Sequence, residues 1–77
     1  MPTVLNKSGF RFMIYLEDHP PEHVHVFYQG HKVVVEFGRG INIRNNVGMN
    51  QGEIARACRI VEKERIFFLA EWRKIHG

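Results

Sequence analysis

The hydrophobic pattern of this chain changes period once, at Asn50, and that change decides its fold class. Before Gly38 the apolar residues recur at every second position, the repeat of a strand with one buried face. After Asn50 they recur at three and four, the repeat of an amphipathic helix. Phe10, Phe12, Ile14 and Leu16 alternate with Arg11, Met13 and Tyr15, which predicts a strand over 10–16. Thr3 to Lys7 is a weaker strand, with Asn6-Lys7-Ser8-Gly9 as the turn between the two. Pro20 and Pro21 then interrupt the pattern, because neither has an amide hydrogen for a sheet. Two further strands are predicted over 23–29 and 32–37, joined by Gly30-His31 as a two-residue hairpin loop. The segment 41–47 is short and polar and is assigned to no element.

Asn50-Gln51-Gly52-Glu53 has the form of a capping box and predicts a helix over 51–75. On one face this helix carries Ile54, Ala57, Cys58, Val61, Phe68, Leu69, Trp72 and Ile75. The expected fold is therefore α+β: an antiparallel sheet of about four strands packed on one long C-terminal helix, in a single domain over 1–77. Such a helix is about 37 Å long, so part of it is expected to overhang the strands. Arg65 falls near the centre of the apolar face. Either its stem lies along apolar surface and its guanidinium escapes at the sheet edge, or the guanidinium forks onto a carboxylate or phosphate.

Size narrows the options. A chain of 77 residues buries only about 60 % of its unfolded surface, and one cysteine, Cys58, can close neither an intramolecular disulfide nor a cysteine-rich zinc site. A hydrophobic share of 44 % with 25 % charged residues is that of a globular chain. The longest apolar runs, Phe12 to Leu16 and Ile66 to Ala70, fall far below the roughly 20 residues of a membrane span, so no membrane partner is expected. The start Met-Pro-Thr-Val-Leu lacks the features of a signal peptide, and a cytoplasmic location is expected. Eleven basic against eight acidic residues leave +3, and protonating all five histidines would raise this to +8.

Two of those histidines carry the chemical signal. His23 and His25 stand two apart in a predicted strand, so they project from one face. With Gly30-His31 as the loop, Gln29 faces Lys32, Phe27 faces Val34 and His25 faces Glu36, while Val24, Val26 and Tyr28 form an apolar set beneath the helix. His19 could fold over the histidine face from the proline loop. Three readings follow. His19, His23, His25 and Glu36 could hold a divalent metal such as Zn. His23 and His25 with Glu36 could instead act as general base and orienter without metal. Or the histidines pair with a carboxylate for local structure alone.

Arg11, Met13, Tyr15 and Phe27 share that face, a basic and aromatic mixture suited to single-stranded nucleic acid or to a partner protein. Ile60 and Phe67, seven apart, fall on the otherwise polar side of the helix and are candidates for a homo-oligomer interface.

The run Asp18-His19-Pro20-Pro21-Glu22-His23-Val24-His25-Val26 resembles the Glu/Asp-His-x-Pro-Pro-His-Val-His-Val signature of a small bacterial family, domain of unknown function 4160. The opening Met-Pro-Thr-Val, the Phe10-Arg11-Phe12 strand and the closing Trp72 to Gly77 are similar to it as well. Glu22 departs from the pattern and adds a carboxylate beside His23. The resemblance implies a stand-alone protein often encoded beside another small domain, the pair having been proposed as a toxin–antitoxin system. It maps the signature onto His19, Pro20, Pro21, His23 and His25. The expected function is a partner-binding component of such a pair, with a protein partner encoded nearby. The alternatives are a histidine-based or metal-dependent hydrolase or ribonuclease, and a nucleic-acid-binding module acting on RNA.

Overall fold

The computed structural model describes residues 3–77; the Met1-Pro2 part of the family-like opening lies outside the described residues. Five strands and two helices follow in order: β1 (Thr3–Lys7), β2 (Phe10–Met13), β3 (His23–Tyr28), β4 (His31–Glu36), β5 (Asn42–Val47), α1 (Gln51–Lys63) and α2 (Arg65–His76). The fold is α+β, an antiparallel meander of order β1-β2-β3-β4-β5 with the helical segment against it. No helix among the described residues is long and apolar enough to cross a membrane.

The helix-facing side of the sheet carries the expected period-two set. Phe10, Phe12 and Ile14, then Val24 and Val26, then Val33, Val35 and Phe37 are buried against Ala57, Val61, Phe68 and Trp72. Ile54, Cys58, Leu69 and Ile75 pack around that core. Burying a side chain of this size stabilises the fold by roughly 1.5–3 kcal/mol, which is how so short a chain holds together without a disulfide.

Four local features differ from the sequence expectation. The β3–β4 hairpin turns at Gln29-Gly30, not Gly30-His31, so His23 faces Glu36 and His25 faces Val34. Gln29 at φ +49° and Gly30 at φ +80° supply the two positive-φ positions that suit the twist of the flanking strands. The pairing slides by two residues. Because strands repeat every two, each side chain keeps its face.

The strand expected over 10–16 ends at Met13, and Leu16 is exposed rather than inward. Asp18 closes a turn there, accepting from the Tyr15 amide at 2.9 Å while its own amide donates to the Tyr15 carbonyl at 3.1 Å. A fifth strand, β5, occupies most of the unassigned segment and forms one sheet edge. All of its residues are exposed, which removes the alternation that marks a half-buried strand.

Finally, the single long helix bends at Glu64, whose φ of −101° and ψ of 19° separate α1 from α2. Hydrogen bonds Glu64 N–H to Ile60 O and Phe68 N–H to Glu64 O span the bend, both 2.9 Å. Among the described residues Arg65 meets no carboxylate. Its Nε and Nη2 donate to the carbonyls of Phe37 and Gly38 at 2.7 and 2.8 Å, tying the bend to the end of β4. The capping box forms as expected: Glu53 N–H donates to Asn50 Oδ1 at 2.8 Å and Asn50 N–H to Glu53 Oε1 at 3.1 Å. Glu53 Oε1 also lies 3.2 Å from His31 Nδ1, joining α1 to β4.

Candidate metal centre

His23 opens β3 and His25 follows two residues on, so both rings leave the strand on the same side. The loop before them folds back. The turn at Tyr15 aims Asp18 at the strand, and the chain re-enters the sheet through the Phe37 amide, which donates to Glu22 O at 3.0 Å. Asp18, His23 and His25 are thereby brought together, one ligand atom from each lying within 4.8 Å of the others.

Both imidazoles address the same carboxylate oxygen. Asp18 Oδ1 lies 3.1 Å from His25 Nε2 and 3.3 Å from His23 Nε2. In a tetrahedral shell with metal–ligand distances near 2.0–2.1 Å, neighbouring donor atoms stand about 3.3 Å apart, so two edges of such a shell already have their length. The far side of the His23 ring is fixed, since Nδ1 lies 2.9 Å from the Pro21 carbonyl oxygen. That oxygen can only accept, so Nδ1 carries the hydrogen. In the neutral ring Nε2 therefore keeps its lone pair, with Asp18 Oδ1 at 3.3 Å and Arg44 Nη1 at 3.4 Å beside it. A backbone carbonyl holding the second nitrogen of a ligating histidine is the usual outer support of a metal site.

The electrostatics favour the ligand forms of Asp18 and His25. Burial works to raise the Asp18 pKa, but the Tyr15 amide and the two imidazoles outweigh it and hold the carboxyl below its ordinary 3.8. Burial, the largest influence on His25, holds that ring below its ordinary 6.5, with Asp18 opposing and the His23 and Lys32 charges adding to the fall. At neutral pH the centre thus offers an ionised carboxylate beside a neutral imidazole, the states that coordination needs.

The surroundings are more enclosed than a bare sheet face. His23 is 3 % exposed and Val34, on the same side, is 5 %. The Trp72 ring stands 5.5 Å from His23, and Tyr15 meets His25 edge-on at 4.6 Å. The Asp18 loop and the Trp72 side chain of α2 supply this cover.

Two expected ligands are not in the cluster. His19 is exposed in the loop, outside the group of converging atoms. Glu36 faces His23 across the strands, yet its carboxylate accepts from Arg44 Nε at 3.0 Å. Arg44 comes from β5, the strand absent from the sequence reading. Its Nη1 also sits 3.3 and 3.4 Å from the two ring nitrogens of His23. Asp18 takes the role expected of Glu36, and its signal was the acid that opens the proline-histidine run.

Of the other surface candidates, Arg11 and Phe27 are cross-strand partners, with the guanidinium 5.8 Å from the ring centroid. Tyr15 is part of the wall of the centre. Ile60 packs on the core and Phe67, beyond the bend at Glu64, is exposed.

A family comparison matches residues 9–73 to Domain of unknown function (DUF4160). The match covers most of the chain, and the chain belongs to that family. Comparison with curated proteins and comparison with solved structures both give no match.

Proposed function

We propose that this domain binds a divalent cation, with Zn²⁺ the best fit, through Asp18, His23 and His25, and uses it for hydrolysis. The observation that carries this reading is the convergence of two imidazole nitrogens on one carboxylate oxygen, with His23 locked by Pro21. Asp18 Oδ1 stands 3.1 and 3.3 Å from the two Nε2 atoms, the spacing of neighbouring donors around one small cation. Two nitrogens and one oxygen are a donor set that Zn²⁺ accepts while keeping a further position open. A metal so held acts as a Lewis acid and lowers the pKa of water. The chain's own residues do the rest: Pro21 orients His23, the Tyr15 amide orients Asp18, and Tyr15 and Trp72 restrict water around the rings.

The test is hydrolysis of an activated phosphodiester, bis(p-nitrophenyl) phosphate, by protein purified without an affinity tag. Activity that a chelator removes, that Zn²⁺ restores and that His25→Ala lacks supports the proposal. Turnover unchanged by chelator, or equal in His25→Ala, contradicts it.

A protein partner in a toxin–antitoxin-like gene pair is a second reading, for a small cytoplasmic bacterial protein. Edge strand β5 favours it, with Ile43 and Val47 exposed at 43 % and 55 % and one side unpaired. An exposed edge accepts a strand from another chain. Co-expression with the neighbouring gene product should give one co-eluting complex that Ile43→Lys weakens. Separate elution of the two proteins at micromolar concentration counts against it.

A further inference from the structure

The sheet registers align Arg11, Phe27 and Lys32 as direct neighbours across β2, β3 and β4. The next row towards the centre is Met13, His25 and Val34, and beyond it stand His23 and Glu36. The first row is therefore on the side of the sheet that carries the histidines. Phe27 lies two residues beyond His25, or about 7 Å along the strand.

This row lines an open cleft of about 510 Å³ together with the turns at Gly9 and at Gln29-Gly30. That is the size of a site for one small organic group. Its chemistry is selective. Among the described residues Arg11 and Lys32 have no carboxylate within salt-bridge distance, as is true of eight of the eleven basic residues; what sets this pair apart is that both flank one aromatic ring. Two uncompensated cations thus flank an aromatic ring, with the Arg11 guanidinium already placed against that ring. A flat aromatic group carrying negative charge complements all three side chains, and nucleotides are that class.

We infer that this cleft holds a nucleotide of a single-stranded nucleic acid, its base against Phe27 and Arg11 and its phosphates on Arg11 and Lys32. The adjoining nucleotide then passes over His25, towards the metal centre. The cleft stands on its own residues; that the strand is the substrate rests on the hydrolytic reading above. A base stacked within a duplex has no free face for Phe27, so single strands are preferred.

The experiment is fluorescence anisotropy with labelled 12-nucleotide single strands of RNA and DNA, a duplex of the same sequence and AMP as competitor, all in excess chelator. Wild-type protein should bind a single strand at least tenfold more tightly than duplex or AMP, with affinity falling as salt rises. Arg11→Gln with Lys32→Gln should weaken binding tenfold or more and flatten the salt dependence by about 1.4 in log–log slope. Phe27→Leu should weaken it about tenfold and leave the slope unchanged. Arg59→Gln with Lys63→Gln on α1, an equal charge change, should alter affinity less than twofold. Circular dichroism confirms that each variant is folded.

The inference is overturned if duplex or AMP binds as tightly as the single strands, if neither strand binds, or if the helix pair of substitutions weakens binding as much as the cleft pair. Because chelator is present throughout, strand binding by a protein that proves unable to bind Zn²⁺ leaves the cleft standing and removes the hydrolytic reading. Zn²⁺ binding without strand binding does the reverse.

Discussion

Asp18 Oδ1 stands 3.3 Å from Nε2 of His23, and in the neutral ring the contact of Nδ1 to the Pro21 carbonyl places the hydrogen on the opposite nitrogen. A lone pair thus faces an anion across a gap of ligand–ligand length. Asp18 also has a structural task, because its other oxygen accepts the Tyr15 amide.

Asp18→Asn separates the two roles. The amide oxygen can still accept from Tyr15, so the loop is kept, and losing the charged contact to His25 should cost about 1 kcal/mol. The urea midpoint of metal-free protein should fall slightly with an unchanged slope. A collapse of the fold would show that the carboxylate is needed for structure rather than for a ligand.

Metal-free protein should also lose stability on acidification in two stages. The His25 pKa is lowered from 6.5 on folding, so below 6.5 the unfolded chain takes up a proton that the folded chain refuses, and stability falls as pH drops through that window. Asp18 is likewise lowered from 3.8, so its contribution is whole above 3.8 and is lost as pH falls through its folded value. Denaturant midpoints from pH 8 to pH 3 measure this. His25→Gln should remove the upper stage and Asp18→Asn should reduce the lower one.

Arg65 anchors the bend between the helices through two charged hydrogen bonds to backbone carbonyls. Arg65→Ala leaves both without a donor and should cost about 2 kcal/mol in chemical denaturation. Arg65→Lys, with a single donor group, should recover only part of that loss. A neutral Arg65→Ala would mean that water replaces the guanidinium without cost.

The residues that repeat regularly were the legible ones. Val24, Val26, Val33 and Val35 could be placed beneath the helix from periodicity alone, and a two-residue error in register left that face assignment intact. His23 and His25 were legible for the same reason. Asp18 was not, because a loop residue has no period and only the turn closed on the Tyr15 amide aims it at the strand. Glu36 was misassigned because β5, exposed on both faces, carries no alternation to announce it, and β5 brings the arginine that captures Glu36. The bend at Glu64 has no proline or glycine as a signal; its anchor is a pair of carbonyls just beyond β4, distant in sequence.

Titration of Zn²⁺ into untagged, chelator-stripped protein by calorimetry tests the metal centre most directly. The account predicts one ion per chain, at least tenfold weaker binding in Asp18→Asn and in His25→Ala, and unchanged affinity in His19→Ala and Glu36→Gln. Absence of Zn²⁺ binding in the wild-type protein, or equal losses in all four variants, would contradict it.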